Sequence, residues 1–389
     1  MLLPNNEHCT FFKKACGVSR FVWNWALAEW SRQYKAGEKP SAFGLKKQFN
    51  TIQKELFPWV GEVNSQAKQQ SFADVGSAFS HFFRRVKKGE KPGYPKFKKK
   101  GKSRDSFYLA NIEFKVDGHY VRLPKIGRVR MRESLRVSGK IMGARISREG
   151  ARWYLSIQVE IAEPKPKFIS ENQTDAVGVD LGVKSLAVLS TGEFIDGPKA
   201  YAKNKDKLAR LQRQLRPGKR KRGSRLYKAY QQRVSTLHRK IAGQRNNALH
   251  QLTAKLTQEH SLICIEDLNV KGMSSSAKGD VEKPGKMVKQ KSGLNRAILD
   301  MGFYEFRRQL DYKSSITGST LSVIDRWAPS SKTCSDCGGY KKDLTLADRT
   351  YTCSGCGLTI DRDINAAINI CTLGARGINA RGQDGSANC

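Results

Sequence analysis

Two cysteine pairs, Cys334-x-x-Cys337 and Cys353-x-x-Cys356, stand fifteen residues apart near the C-terminal end of this 389-residue chain. No other feature restricts the local fold so tightly. Four thiolates at this spacing converge on one tetrahedral metal ion, and the segment between them must close on itself. Gly338 and Gly357 directly follow the two pairs, and glycine permits the tight knuckle turn that brings two thiolates to one metal. Four sulfur ligands leave no open coordination position, so Cys334, Cys337, Cys353 and Cys356 read as the ligands of one structural Zn²⁺ ion. A redox dithiol would need one pair in a thioredoxin-like context, which the flanking sequence lacks. Cys9, Cys16, Cys264, Cys371 and Cys389 show no framework spacing. That fits a reducing cytosol rather than a disulfide-bonded fold.

Charge limits the partner. Lys and Arg number 71 against 35 Asp and Glu, a formal net charge of +36. A field of that size attracts polyanions and opposes compaction until counter-charge arrives. The basic residues run along nearly the whole chain, and no stretch of about 18 apolar residues exists to span a bilayer. The N-terminus lacks a signal-peptide layout. Nucleic acid is therefore the expected partner, with no membrane role.

The length suffices for two or three domains. Residues 10–85 carry helical apolar spacing, and the aromatics at Phe21, Trp25, Phe72, Phe79, Phe82 and Phe83 read mainly as core. Residues 86–104 are a lysine-rich, Gly/Pro-broken loop with Tyr94 and Phe97 interleaved. Lys87, Lys88, Lys96, Lys98, Lys99 and Lys100 there suit contact with a phosphate backbone; a solvated linker is the plainer alternative. Residues 106–162 alternate apolar and polar between glycine turns, as a small antiparallel barrel or sheet does. A linker is expected at 167–174. Buried strands follow at 176–182 and 185–190. Residues 203–257 are helical and basic, broken at Pro217-Gly218, where Lys219, Arg220, Lys221 and Arg222 form a second candidate nucleic-acid contact. Leu262–Glu266 is a further buried strand, 273–292 a mobile loop, 295–310 a helix and 319–326 a strand.

Three acids sit where acids are costly. Asp180 and Glu266 each end an apolar strand, and Asp363 lies at the start of a helix whose Ile364, Ala367, Ile368 and Cys371 share one face. Buried carboxylates raise their pKa or find a cation. Mg²⁺ prefers oxygen donors, and two such ions about 4 Å apart can activate water and stabilise the leaving oxygen of a phosphodiester. Asp180, Glu266 and Asp363 are thus the candidate catalytic acids and magnesium ligands. Asp361 stands where a helix N-cap would and is the alternative to Asp363; Asp267 is the alternative to Glu266. No Ser-His-Asp set, P-loop or dinucleotide fingerprint is present.

Gly178-Val179-Asp180-Leu181-Gly182, Ile265-Glu266-Asp267-Leu268, the four-cysteine segment and Asp361-Arg362-Asp363-Ile364-Asn365-Ala366-Ala367-Ile368-Asn369-Ile370 occur in this order. So arranged, the chain resembles the TnpB (OrfB-type) proteins, transposon-encoded relatives of compact type V CRISPR nucleases. Gly17-Val18-Ser19-Arg20-Phe21-Val22-Trp23-Asn24 and Trp327-Ala328-Pro329-Ser330-Ser331-Lys332-Thr333-Cys334 extend the likeness over nearly the whole chain.

The resemblance implies a multidomain α+β chain. An N-terminal β-barrel (wedge) with an inserted helical domain would precede an RNase H-like (RuvC) α/β nuclease domain holding an inserted four-cysteine zinc ribbon. Residues 1–10 would start the wedge, 11–105 form the helical recognition domain and 106–166 complete the wedge. Residues 175–330 would be the nuclease core, 331–358 the ribbon, 359–375 the final helix and 376–389 a disordered tail. Relatives usually begin with a short strand before the Leu-x-Pro segment, which this chain enters at once at Leu2-Leu3-Pro4, so the barrel is expected to lack an edge strand. The ribbon is expected to touch nucleic acid through Lys332, Lys341, Lys342 and Arg349. The implied activity is RNA-guided, Mg²⁺-dependent cleavage of double-stranded DNA beside a short motif, with a guide RNA from the transposon end. A prokaryotic cytoplasm, close to the nucleoid, would be its place. A transposase acting directly on transposon ends and a non-cleaving nucleic-acid-binding regulator are the alternatives.

Overall fold

The computed structural model describes residues 1–162, 175–280, 282–345 and 347–384, the last six of these as backbone only. The linker expected at 167–174 lies outside the described residues. The chain divides into two units, Met1–Ala162 and Glu163–Cys389. Among the described residues no helix is long and apolar enough to cross a membrane.

In the first unit, β1 (Leu2–Leu3) leads into α1 (Asn6–Lys35), then α2 (Ala42–Leu56) and α3 (Ser65–Lys87). The Asn5 side chain accepts from His8 N–H at 2.8 Å and so caps the first helix. Phe12, Ala15, Ser19, Val22 and Ala26 repeat at three- and four-residue spacing along its buried face. Six strands follow: β2 (Ser106–Ala110), β3 (Lys115–Asp117), β4 (Tyr120–Leu123), β5 (Gly127–Met131), β6 (Lys140–Glu149) and β7 (Arg152–Glu160). Phe12, Phe107, Ile146 and Trp153 share one apolar core, so helices and sheet stabilise each other.

The sheet corrects two expectations. Its order is β2-β6-β7-β1-β5-β4-β3, an open ladder with no β2–β3 pairing to close a barrel. Closure needs a regular stagger around the ring, and the middle strand here is only two residues long. That strand is Leu2–Leu3 itself. Leu2 pairs with Met131 on one side and Trp153 on the other. The N-terminal strand therefore lies at the centre of the sheet and not at an edge.

The second unit is built on a five-stranded sheet. Its strands are β8 (Ala176–Asp180), β9 (Ala187–Leu189), β10 (Phe194–Ile195), β11 (Leu262–Glu266) and β12 (Thr320–Ile324), in the order β10-β9-β8-β11-β12. β8, β11 and β12 run parallel, whereas β9 and β10 are antiparallel additions. Between β10 and β11 come α4 (Ala200–Arg213) and α5 (Arg225–Glu259). The short α6 (Val270–Met273), α7 (Val288–Met301) and α8 (Phe303–Thr317) separate β11 from β12. The hairpin β13 (Thr350–Thr352) and β14 (Thr359–Asp361) precedes α9 (Arg362–Asp384). The last helix thus runs well past 375, and the tail expected from 376 is helical as far as it is described.

Side-chain parity decides what each sheet face meets. Val177, Val179, Ile263 and Ile265 pack against Leu249, Leu256, Phe306 and Leu310 of α5 and α8. The alternate positions, Ala176, Leu262 and Cys264, pack with Ile370 and Ala375 of α9. Gly178 belongs to that second set. A Cβ there would lie 1.9 Å from the Ala367 carbonyl oxygen, so only glycine lets α9 settle so closely on the sheet.

Candidate active site

The same parity aims the acids. Asp180 continues the Ala176–Gly178 row and Glu266 the Leu262–Cys264 row, so both strand-end carboxylates lie on the face that α9 covers. Asp363 is the second residue of α9. All three line one cleft of about 900 Å³, together with Arg326, Ser330, Arg349 and Arg362. Burial pushes Asp180 up to about 7, reinforced by the negative charges of Asp363 and Glu266. Glu266 is also raised, by burial, and the Ser330 hydroxyl donates to it at 3.4 Å.

The members of the two alternative pairs have different surroundings. Asp361 accepts from the backbone N–H groups of Asp363 at 2.8 Å and Ile364 at 3.3 Å, which caps α9. Asp267 falls on the opposite face of the sheet from Glu266. Arg307 and Arg326 both ion-pair with it and hold its carboxyl below the usual carboxylate range. Asp363 instead faces the cleft, paired with Arg362 at 3.2 Å and with Arg349 at 4.0 Å.

The donor sets differ in tightness. The ligand atoms of Cys334, Cys337, Cys353 and Cys356 all lie within 4.8 Å of one another, and no other such group occurs among the described residues. Gly338 and Gly357 take φ values of 75° and 77°, the left-handed turns the two knuckles need. Backbone N–H groups of Cys356 and Gly355 pull the Cys353 thiol down to about 6. Four sulfurs this close together, with no other ligand type among them, fit a Zn²⁺ ion. The carboxylates are more widely spaced. Three hard oxygen donors, two of them raised by burial, fit cations that are shared across a cleft better than one ion in a tight cage.

Sequence reading missed the link between the two sites. The Asn365 side chain accepts from Ser335 N–H at 2.9 Å and donates to the Thr333 carbonyl at 2.7 Å. Asn369 donates to the carbonyls of Ser330 and Thr333 at 2.7 Å. Both are buried, one turn apart on α9. They fix the first cysteine knuckle to the helix that carries Asp363. Their i, i+4 spacing on an otherwise apolar face was the available signal. Arg326, Ser330, Arg349 and Arg362 were also unassigned as cleft residues.

The candidate nucleic-acid contacts separate into two groups. Lys87, Lys88, Lys96, Lys99, Lys100, Lys219, Lys221 and Arg222 are exposed. Lys98 is not free: its ammonium lies 3.8 Å over the Trp23 ring, and burial lowers its pKa. Arg220 stacks 4.5 Å over Tyr230 and donates to Gln214. In the ribbon, Lys332 and Lys341 donate to the Lys342 and Thr352 carbonyls, and Arg349 turns to Asp363.

Family models match three segments. One is described as "Probable transposase" and covers residues 156–277, one as the Cas12f1-like TNB domain over 303–370, and one as a helix-turn-helix domain over 1–39. A protein of Escherichia coli (strain K12), named "Putative RNA-guided DNA endonuclease InsQ", is 35% identical over 375 residues, spanning 96% of this chain and 90% of that one. The chain belongs to the TnpB family. A Streptomyces pristinaespiralis relative, named "Putative RNA-guided DNA endonuclease", is 32% identical over 378 residues, 95% of this chain and 87% of its own. The fold is similar to that of Cas12f1 in the cryo-EM structure of a Cas12f1–sgRNA–target DNA complex, with TM-score 0.54 at 14% identity, over 94% of this chain and 83% of that one. The segment matched as helix-turn-helix contains one long helix, Asn6–Lys35, and the turn at residues 36–37 that follows it.

Proposed function

We propose that this TnpB chain is an RNA-guided DNA endonuclease that hydrolyses phosphodiesters at Asp180, Glu266 and Asp363. One observation carries the reading: strand parity and the seating of α9 bring three acids from distant segments to one cleft. A sheet of three parallel strands extended by an antiparallel pair, with acids at adjacent strand ends and on the covering helix, supports an RNase H-like (RuvC) nuclease core. Two bound Mg²⁺ ions would supply a water nucleophile and stabilise the leaving oxygen. The residues themselves do the placing. Asp180 and Glu266 sit side by side at the ends of β8 and β11, where burial favours cation binding over bare charge. Arg349 and Arg362, already beside Asp363, are within the cleft to meet the phosphate oxygens of a strand. Cys334, Cys337, Cys353 and Cys356 would hold one structural Zn²⁺, and through Asn365 and Asn369 that ribbon braces Asp363.

The names of the relatives and the guide RNA and target DNA in the Cas12f1 complex support RNA guidance here. So does the net charge of +36. Residues 1–10 with 106–162 would act as the wedge sheet and 11–105 as the recognition helices, with the exposed lysines of 87–100 and 219–222 on the RNA and DNA backbones. Action on chromosomal DNA would put the protein in the cytoplasm, at the nucleoid.

The test is to purify the chain, sequence the RNA that accompanies it, and supply Mg²⁺ with matching double-stranded DNA. The expected result is a discrete RNA and cutting that depends on it. Strand-joining products from RNA-free protein would support a direct transposase instead. Tight, salt-sensitive binding with intact substrate would support a regulator.

A further inference from the structure

Beside the acidic cleft lies a second cavity of about 350 Å³, which shares Leu181, Glu266 and Arg326 with it. The two border on each other at these three side chains, and on the nuclease reading a strand whose phosphate sits at the carboxylates would reach the second with its neighbouring nucleotide. Its floor is apolar, formed by Leu268, Val270 and Phe303. Its rim carries Lys271, Arg307 and Arg326, the two arginines both ion-paired with Asp267. Tyr304 lines the rim with 70% of its surface exposed and packs on no other aromatic ring among the described residues. An apolar floor of this volume, at the lower end of small-ligand pockets, with cations at the edge and an unpartnered ring, matches the chemistry of a nucleotide: a flat base inside and phosphate outside.

The geometry points to a base-binding subsite. It takes one unstacked base of a single strand, lays it on the Tyr304 ring, and so sets which phosphate reaches Asp180 and Glu266. The inference rests on the nuclease reading for the path of the strand. Stacking on aromatic side chains is tolerant of sequence because every base has a π face, so the subsite fixes the register of the strand without reading its sequence.

The test compares two short single strands of equal length, one with bases and one abasic, bound to the purified chain with Ca²⁺ in place of Mg²⁺. The wild-type chain should prefer the base-bearing strand by at least roughly 5-fold. Tyr304→Ala should lose most of that margin, and Tyr304→Phe should keep it. Because Tyr304 is exposed, the alanine variant is expected to fold, which its thermal midpoint checks. A wild-type chain with no preference, or a Tyr304→Ala variant that weakens both strands equally or keeps the full margin, overturns the subsite. Cutting is measured separately on Asp180→Ala. Undiminished cutting there refutes the nuclease reading, whatever the titrations show.

Discussion

At the level of single residues, Asp180 carries the clearest consequence. Its carboxyl is pushed up to about 7 by burial and by its acidic neighbours. The unfolded chain releases that proton near pH 4, so between about pH 4 and pH 7 the folded chain binds more protons than the unfolded one. Stability from this group therefore falls as pH rises through that window. Urea midpoints should show wild type losing ground to Asp180→Asn from about pH 4 to pH 7, and Mg²⁺ should restore wild type more at pH 8 than at pH 5. On activity, Asp180→Asn should lose more than about 100-fold, beyond the 10–100-fold typical of residues that only orient a metal ligand. Gly178→Ala is the structural counterpart. Its Cβ would enter the Ala367 carbonyl, so a loss of at least about 1–3 kcal/mol is expected by chemical denaturation. The acids were legible in the sequence because apolar strands that end in carboxylates are unusual. The arginines beside Asp363 were not, since nothing in a sequence this basic distinguishes a cleft arginine from a surface one.

At the level of elements, the ribbon and α9 act together. β14 ends at Asp361, which caps the helix, and Asn365 and Asn369 tie the helix back to the first knuckle. Asn365→Ala leaves the Ser335 N–H without its side-chain partner and the Thr333 carbonyl with Asn369 alone. That should cost about 1–3 kcal/mol, read from the unfolding midpoint. Metal chelation should release the hairpin and lower cutting in parallel, with protection of the α9 amides against hydrogen exchange falling first near Asp363. Some elements were misjudged from sequence. Residues 295–310 were expected as one helix, but the structure has two, α7 and α8, meeting at Gly302. The loop expected to 292 gives way to α7 at Val288. The N-terminal strand was missed because two residues are too few for any period to show. Asp300, on α7, accepts from the Tyr201 and Ala202 N–H groups and caps α4 from about a hundred residues away; long-range capping leaves no local pattern to read.

For the whole molecule, the surplus of 36 positive charges sets how binding responds to salt. RNA affinity should fall steeply as salt rises. Replacing an exposed lysine such as Lys99 or Lys221 by alanine should reduce the log–log slope by about 1. Lys98→Ala should instead lower stability and leave the slope unchanged, because that ammonium rests on Trp23. The sheet of the second unit and the four-cysteine hairpin follow visibly from the run of apolar strands and the cysteine spacing. The open form of the first sheet does not, since barrel and sheet share the same alternation. The proposed nuclease site requires that Asp180, Glu266 and Asp363 share divalent cations. Anomalous scattering from crystals of the protein with guide RNA and Mn²⁺ tests this most directly. Mn²⁺ within coordination distance of all three carboxylates is the predicted result. Mn²⁺ bound elsewhere, with Asp363 still paired to Arg362 and Arg349, would contradict it.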